Sequence, residues 1–532
     1  VTTRRLRRWV TAAAALLAAL ALAACNGDGR SPDTAAPADA AAVGGNGDLS
    51  ILAGSELREI EPQLVAAAKK AGVAIKLSYA GTLDIVERIN AGEHFDAILP
   101  PNGAYPMLAL SEKPVAREKL FYSRVAVGVK TAKVHAFGWD AQAPTWADIA
   151  REAKAGRFRY AMTNPTSSNT GMSALFAVAA AAAHKTEDLS VADVDESVLK
   201  DFLSGQAITA GSSGWLADVY AKDASPVDGI VNYEAVLLRL NERLAAADRL
   251  QLIYPTDGVI TADYPLMLLD PARREAWQHV VDALRGVAFQ RDALQTAFLR
   301  PSNPDAPAAA ALPTQPVAEL AFPNRLEVID QVLLAYQGEW RRPATSIFVL
   351  DVSGSMAGPR LEAMRTALKV LSGVDSSRAS ERYARFQNRE RVVLISFSSE
   401  VSAPRTLAFD RASLEASSRA VRDYADDLSA NGGTAIYSAL SAAEAVATAE
   451  RAADAERQIS IVLLTDGENN KGMSAAEFRR RHGQAHVRIF PILFGEADPG
   501  ALGEVAELSG GRAFDARKAS LAGVFKEIRG YQ

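Results

Sequence analysis

From Leu49 onward the chain alternates short apolar runs with stretches in which apolar residues recur at helical spacing. Ser50-Ile51-Leu52-Ala53 predicts a strand, followed by Gly54-Ser55 and a helix from about Glu59. Ala74 to Tyr79 predicts a second strand, followed by Ala80-Gly81-Thr82 and a helix from Leu83 to Asn90. Phe95 to Leu99 predicts a third strand, ending at Pro100-Pro101-Asn102-Gly103. A βαβαβ rhythm of this kind implies a mostly parallel sheet with helices on its faces. Ligands then sit beyond the carboxyl ends of the strands. The rhythm returns from Ala344, with strands expected at Ser346–Leu350, Val392–Phe397, Ile459–Leu464 and Ile489–Phe494. Val401 to Phe409 is expected to pair beside the second of these. Leu361, Met364, Leu368 and Leu371 mark one helix, and Ala435 to Glu450 another. Between the two halves, Pro301, Pro304, Pro307, Pro313 and Pro316 predict a linker or long surface loop. Leu326, Ile329 and Leu333 then predict a bridging helix with one apolar face, and Trp340-Arg341-Arg342-Pro343 leads into the last domain.

Composition changes the picture mainly at the N-terminus. Arg4, Arg5, Arg7 and Arg8 precede an uncharged run from Trp9 to Ala24. That run, about 16 residues, is shorter than the roughly 20 a spanning helix needs. Leu22-Ala23-Ala24-Cys25 matches a bacterial lipobox, and Cys25 is the only cysteine in the chain. Residues 1–25 therefore read as a lipoprotein signal, with lipid on Cys25 as an extracytoplasmic membrane anchor. Asn26 to Asp48 is Gly-, Ala-, Asp- and Pro-rich and reads as a flexible tether. The expected division is then 1–25, 26–48, 49–300, 301–342 and 343–532. The net charge of −5 over 532 residues gives no reason to expect nucleic acid. No phosphate loop or nucleophile elbow is present, and Ser212-Ser213 has no evident base. His482 and His486, four apart with Gly483 between them, read as a solvated loop. The expectation is therefore a protein that is not an enzyme.

Three blocks in the last domain carry oxygen ligands. Asp351-Val352-Ser353-Gly354-Ser355 follows a strand, Gly432-Gly433-Thr434 precedes a helix, and Thr465-Asp466-Gly467 follows a buried strand. All three fall on one rim if the sheet is parallel. Carboxylates from Asp351 and Asp466 with hydroxyls from Ser353, Ser355 and Thr434 suit Mg²⁺, Mn²⁺ or Ca²⁺. This pattern resembles the metal-ion-dependent adhesion site (MIDAS) of von Willebrand factor A (VWA) domains, with all five positions filled. The resemblance implies a doubly wound, Rossmann-like α/β fold. It also implies hydroxyls bound directly to the metal, aspartates bound directly or through water, and one position left for an acidic group of a protein partner.

The region from Leu49 to Arg300 resembles two-lobed periplasmic solute-binding proteins of type II topology. Four segments carry the likeness: Leu52 to Leu57, Met162 to Gly171, Gly229 to Glu234, and Tyr254 to Gly258 with Tyr264-Pro265-Leu266. The resemblance implies a ligand cleft between lobes. Candidate ligand residues are Ser55, Thr82, Asn164, Ser168, Asn169, Thr170, Asn232 and Tyr233. Ser55, Thr82, Ser168 and Thr170 stand where helices should begin, where free N–H groups favour an anion. Each equally fits a plain N-cap, and Glu56 argues against a purely anion-selective site. The functional expectation is a lipid-anchored protein that binds a partner protein through a divalent metal, with a small solute in the N-terminal cleft. Delivery of a solute to an ABC-type importer is the alternative.

Overall fold

The computed structural model describes residues 48–374, 383–483, 487–517 and 521–531. The expected signal segment with Cys25, the expected tether up to residue 47, and His486 lie outside the described residues. Among the described residues no helix is long and apolar enough to cross a membrane.

Among the described residues, twelve strands precede residue 302: β1 (Asp48–Gly54), β2 (Ala74–Ala80), β3 (Ala97–Leu99), β4 (Ala116–Lys119), β5 (Phe121–Lys130), β6 (Tyr160–Thr163), β7 (Gln206–Ala210), β8 (Gly229–Tyr233), β9 (Leu250–Ile253), β10 (Thr261–Ala262), β11 (Pro265–Leu268) and β12 (Arg300–Pro301). They form two sheets, one per lobe. The first has the order β2-β1-β3-β11-β4. Its β2-β1-β3 half is parallel, as expected, but β11 runs antiparallel to both β3 and β4. The departure from a mostly parallel sheet has a simple origin: β4 leads out of this lobe and β11 leads back, so the two are an outbound and return pair. The second sheet has the order β10-β5-β8-β6-β7, with β9 and β12 also paired to β5.

The return crossing falls between β10 and β11. There the backbone N–H groups of Asp263 and Tyr264 both donate to the Pro101 carbonyl, at 2.9 and 3.2 Å. Tyr264 takes a left-handed φ of 31° and is buried. Nearby, fully buried Glu234 accepts from Arg300 Nε at 2.6 Å and Nη2 at 2.8 Å, from Tyr254 OH at 2.7 Å and from the Arg124 backbone at 3.0 Å. Every lone pair of that carboxylate has a donor, which is what makes a buried charge tolerable.

The proline-rich stretch is not a free linker in this structure. Glu319 accepts from Thr261 N at 2.9 Å and Thr261 Oγ1 at 2.7 Å, Leu320 is buried, and Arg300 Nη2 donates to the Pro313 carbonyl at 3.0 Å. The bridging helix spans Leu326–Ala335, with Val328, Ile329, Val332 and Leu333 buried. Leu326, expected on that face, is instead exposed at the first turn.

The last domain adds β13 (Ala344–Asp351), β14 (Glu390–Phe397), β15 (Arg405–Phe409), β16 (Gln458–Thr465), β17 (Arg488–Leu493) and β18 (Phe514–Asp515) in the order β15-β14-β13-β16-β17-β18. All neighbours are parallel except β15, which runs antiparallel to β14. Every residue of β13 is buried, as befits a central strand covered on both faces. Leu361, Met364, Leu368 and Leu371 all turn inward from the helix Pro359–Leu371.

Glu390, at the start of β14, is buried between two guanidiniums. Arg529 Nη2 donates to both its oxygens, at 2.6 and 2.8 Å, and Arg341 Nη2 donates to Oε1. Arg341 Nε is further taken up by the Gln337 carbonyl at 2.9 Å, and Arg529 Nε by the Ala384 carbonyl at 3.0 Å. Removing the carboxylate would break a buried ion pair that two guanidiniums share, a change that costs roughly 3–5 kcal/mol. Glu390→Gln is therefore expected to lower the unfolding free energy in urea titrations by about that amount. A loss within about 0.5 kcal/mol, the range of ordinary surface changes, would show that the cluster does not hold the fold.

Candidate functional site

The three oxygen-bearing blocks converge at the carboxyl ends of β13 and β16, which are parallel neighbours. Asp351 is the last residue of β13, Asp466 directly follows β16, and Thr434 precedes the helix Ile436–Ala453. Ser355 Oγ donates to Asp466 Oδ1 at 2.7 Å and lies 3.1 Å from Ser353 Oγ. Asp351 accepts from Ser353 N at 2.8 Å and from Thr465 Oγ1 at 2.6 Å. A Cβ placed on Gly467 would lie 3.8 Å from both Ser355 Oγ and Thr434 Oγ1, so all three loops face one another. The Gly354 amide donates to the Gly432 carbonyl at 3.0 Å, tying the first loop to the second. Gly432 has a φ of 75°, which a side chain would resist.

Asp351, Ser353, Thr434 and Asp466 are buried, whereas Ser355 is exposed. Burial pushes the Asp351 carboxyl above its ordinary range, Thr465 and Ser353 pull it back by hydrogen bonding, and the Asp466 charge adds to the push. Arg360, outside the three blocks, also reaches the rim. Its Nη1 reaches Asp466 Oδ2 at 2.5 Å, so a guanidinium stands beside the rim. It sits in the first turn of the helix Pro359–Leu371, two residues after Gly358, whose φ is 79°.

The N-terminal candidates separate into two groups. An open cavity of about 1110 Å³ lies between the lobes, and of the eight predicted residues only Ser55 lines it. Glu56, Tyr79, Thr166, Ser167 and Trp215 line it as well. The other predicted residues are buried beside it. Asn169 Nδ2 donates to Tyr233 OH at 2.9 Å, and Thr170 Oγ1 lies 2.8 Å from Ser213 Oγ. Asn232 is spent on the backbone: Nδ2 donates to the Ser213 carbonyl at 3.0 Å and Oδ1 accepts from Tyr233 N at 2.8 Å. Asn164 Oδ1 accepts from Thr166 N and Oγ1 at 2.9 and 2.8 Å, which shapes its own loop. Asn164 and Asn232 are thus scaffold groups rather than free ligand donors.

The simple N-cap account also fails for the four hydroxyls. Gly54 and Gly81 hold the cap positions before Ser55 and Thr82, and Ser168 caps its helix without a side-chain hydrogen bond. Thr82 Oγ1, Asn169 Oδ1 and Glu56 Oε1 are buried with no hydrogen-bond partner. His482 ends the helix Ala475–His482 and its Nε2 lies 3.1 Å from Ser441 Oγ, so it is a packed helix residue rather than part of a solvated loop.

Residues 49–291 match the family model of bacterial extracellular solute-binding proteins. Residues 347–527 match that of the von Willebrand factor type A domain. The chain thus joins a solute-binding domain to a VWA domain. A 134-residue stretch is 33% identical to inter-alpha-trypsin inhibitor heavy chain H4 of Sus scrofa, which covers 24% of this chain and 13% of that protein. The chain therefore spans about an eighth of that relative's length. Among solved structures, the periplasmic binding protein AfuA from Actinobacillus pleuropneumoniae, bound to exogenous fructose-6-phosphate, is 14% identical, with a TM-score of 0.42 over 55% of this chain and 97% of that one. The ferric binding protein from Campylobacter jejuni is 13% identical, with a TM-score of 0.43 over 54% of this chain and 98% of that one. A von Willebrand factor type A protein from Catenulispora acidiphila is 22% identical, with a TM-score of 0.28 over 36% and 42% of the two chains.

Glu56 gives the cleft a measurable signature. Burial pushes its carboxyl from 4.5 up to about 7, against hydrogen bonds from its own backbone and Tyr264 and the charge of Arg239. An acid whose folded pKa is raised binds its proton more tightly in the folded chain. Its stabilising contribution is complete below the unfolded value and is lost as pH rises through the folded one. The shift corresponds to roughly 3 kcal/mol. The unfolding free energy of the parent relative to Glu56→Gln is expected to fall by about that much between about pH 4 and about pH 8. A difference that stays flat across this window would show that Glu56 titrates normally.

Proposed function

We propose that this chain is a non-enzymatic, extracytoplasmic binding protein whose VWA domain docks a protein partner through a divalent cation. The cation is held by Asp351, Ser353, Ser355, Thr434 and Asp466. The single observation behind this reading is the meeting of those five oxygen side chains from three separate loops on one sheet rim. The donor set fits a hard cation, Mg²⁺ or else Mn²⁺ or Ca²⁺, because every candidate ligand is oxygen. A cation held largely by neutral hydroxyls keeps positive charge to offer, so an acidic group on the partner completes it. Exposed Ser355 marks the side from which that group approaches.

The solute-binding domain takes a small ligand between its lobes. Glu56, which lines the cavity with Oε1 buried and unpartnered, favours a solute bearing hydroxyl or ammonium donors over a bare anion. A lipid on Cys25 would anchor the whole to the membrane. Delivery of that solute to an importer is the second reading, favoured by the solute-binding match itself.

The metal reading is tested with immobilised acidic peptides, in Mg²⁺ and in chelator. Binding is expected in Mg²⁺, lost with chelator, and lost in Asp351→Ala; retention under either condition sinks the reading. Arg360 supplies a second check. Its positive charge beside Asp466 opposes a cation at close range, by an amount that effective dielectrics near a surface put at a few kcal/mol before screening. Because the side chain is a third exposed and free to swing away, the expected gain is smaller. Arg360→Ala is expected to tighten Mg²⁺ binding by about tenfold in calorimetric titration, about 1.4 kcal/mol. Weaker Mg²⁺ binding in that variant would mean that Arg360 supports the site instead.

A further inference from the structure

The cavity between the lobes has a third wall. Ser55 and Tyr79 line it from the first lobe, Ser167 and Trp215 from the second, and Lys526 and Tyr531 from the end of the VWA domain. The terminal helix Leu521–Arg529 buries Leu521, Val524, Phe525 and Ile528. Phe525 lies 5.7 Å from Phe348 of β13 between ring centroids, which seats that face in the VWA core. Lys526 is turned the other way. Its Nζ lies 3.2 Å from Asp84 Oδ1 and is also bonded to Glu87, both on the first-lobe helix Thr82–Asn90.

Immediately after that helix the chain meets the second lobe. A Cβ on Gly530 would come within 3.0 Å of Ser167 Oγ and 3.1 Å of Gly211 Cα. A Cβ on Gly211 would stand 2.8 Å from the Tyr531 ring, and that ring lies 5.6 Å from Trp215. Asn164 Nδ2 also donates to the Arg529 carbonyl at 3.4 Å. The lobes touch one another at the same place: a Cβ on Gly81 would fall 2.3 Å from the Ser167 carbonyl. One short segment therefore holds the first lobe by charge and the second by close packing. Its own position is fixed by Arg529 on Glu390.

The two lobes cannot separate while both remain attached to the one segment Leu521–Tyr531. We infer that Leu521–Tyr531 is a strap across the mouth of the solute cleft, so that opening the cleft requires the VWA domain's terminal helix to part from one lobe. The inference concerns contacts within the chain and stands whether or not the rim binds a metal.

The test reads access to the cleft without needing its solute. In the full chain carrying Cys25→Ser, Ser55→Cys places a single thiol on the cavity wall. Its rate of reaction with a bulky polymer-linked maleimide reports opening. Lys526→Glu sets a negative charge against Asp84 and Glu87 and is expected to raise that rate at least threefold. Adding Asp84→Lys and Glu87→Lys restores opposite charges and is expected to return the rate to that of the parent. Lys526→Met, which keeps the aliphatic stem, replaces Lys526→Glu if charge reversal unfolds the chain, and is expected to raise the rate in the same direction. An unchanged rate in the folded variant overturns the strap. An acceleration that the charge swap does not reverse overturns it too, because general loosening is then the cause.

Discussion

Arg341, Glu390 and Arg529 come from three distant parts of the chain: the end of the bridging segment, the first residue of β14 and the end of the terminal helix. Their hydrogen bonds are directional and buried, so they fix orientation as well as contact. Both guanidiniums share the Glu390 carboxylate, and the Gln337 and Ala384 carbonyls take up their Nε donors. Such an arrangement adds little net stability over an apolar equivalent. It does set where the terminal helix leaves the VWA core, and therefore where Lys526, Gly530 and Tyr531 arrive against the lobes.

The two binding features of the molecule are built differently. The oxygen-lined rim is a property of one sheet: adjacent parallel strands end together, and loops bring their oxygens to one place. The cleft is a property of the whole chain, because two lobes and a helix from another domain all line it. The helix Pro359–Leu371 lies between these features in the packing. Its first turn carries Arg360 at the rim, and its length packs against the terminal helix.

What could be read from residues alone followed from locality. The strands of the VWA domain are continuous apolar runs; Asp351, Ser353, Ser355 and Asp466 follow two of them and Thr434 precedes an Ala-rich helix, so topology brings the five together. The solute-domain residues were harder. Asn164 and Asn232 have the chemistry of ligand donors, yet the backbone of their own loops uses them. Leu326 has helical spacing with Ile329 and Leu333, but at the first turn it has no neighbour to cover it. Ser167 lies in a segment that carries the family likeness yet is not among the candidates there, Trp215 carries no motif, and Lys526 meets Asp84 only because the domains fold against one another. No periodicity encodes that meeting. Arg360 was visible in sequence, but its reach to Asp466 depends on the left-handed turn at Gly358.

Gly211 and Gly530 have a consequence for dissecting the molecule. Each is bare where the other domain presses closest, so each surface is shaped as a mould of its counterpart. A solute-binding domain excised at the proline-rich stretch would present Gly211, Ser167 and the face of Trp215 to water, with nothing to fill the imprint. An excised VWA domain would carry Tyr531 and an uncompensated Lys526 on a newly wetted surface. The boundary that looks natural in the sequence is thus a poor place to cut.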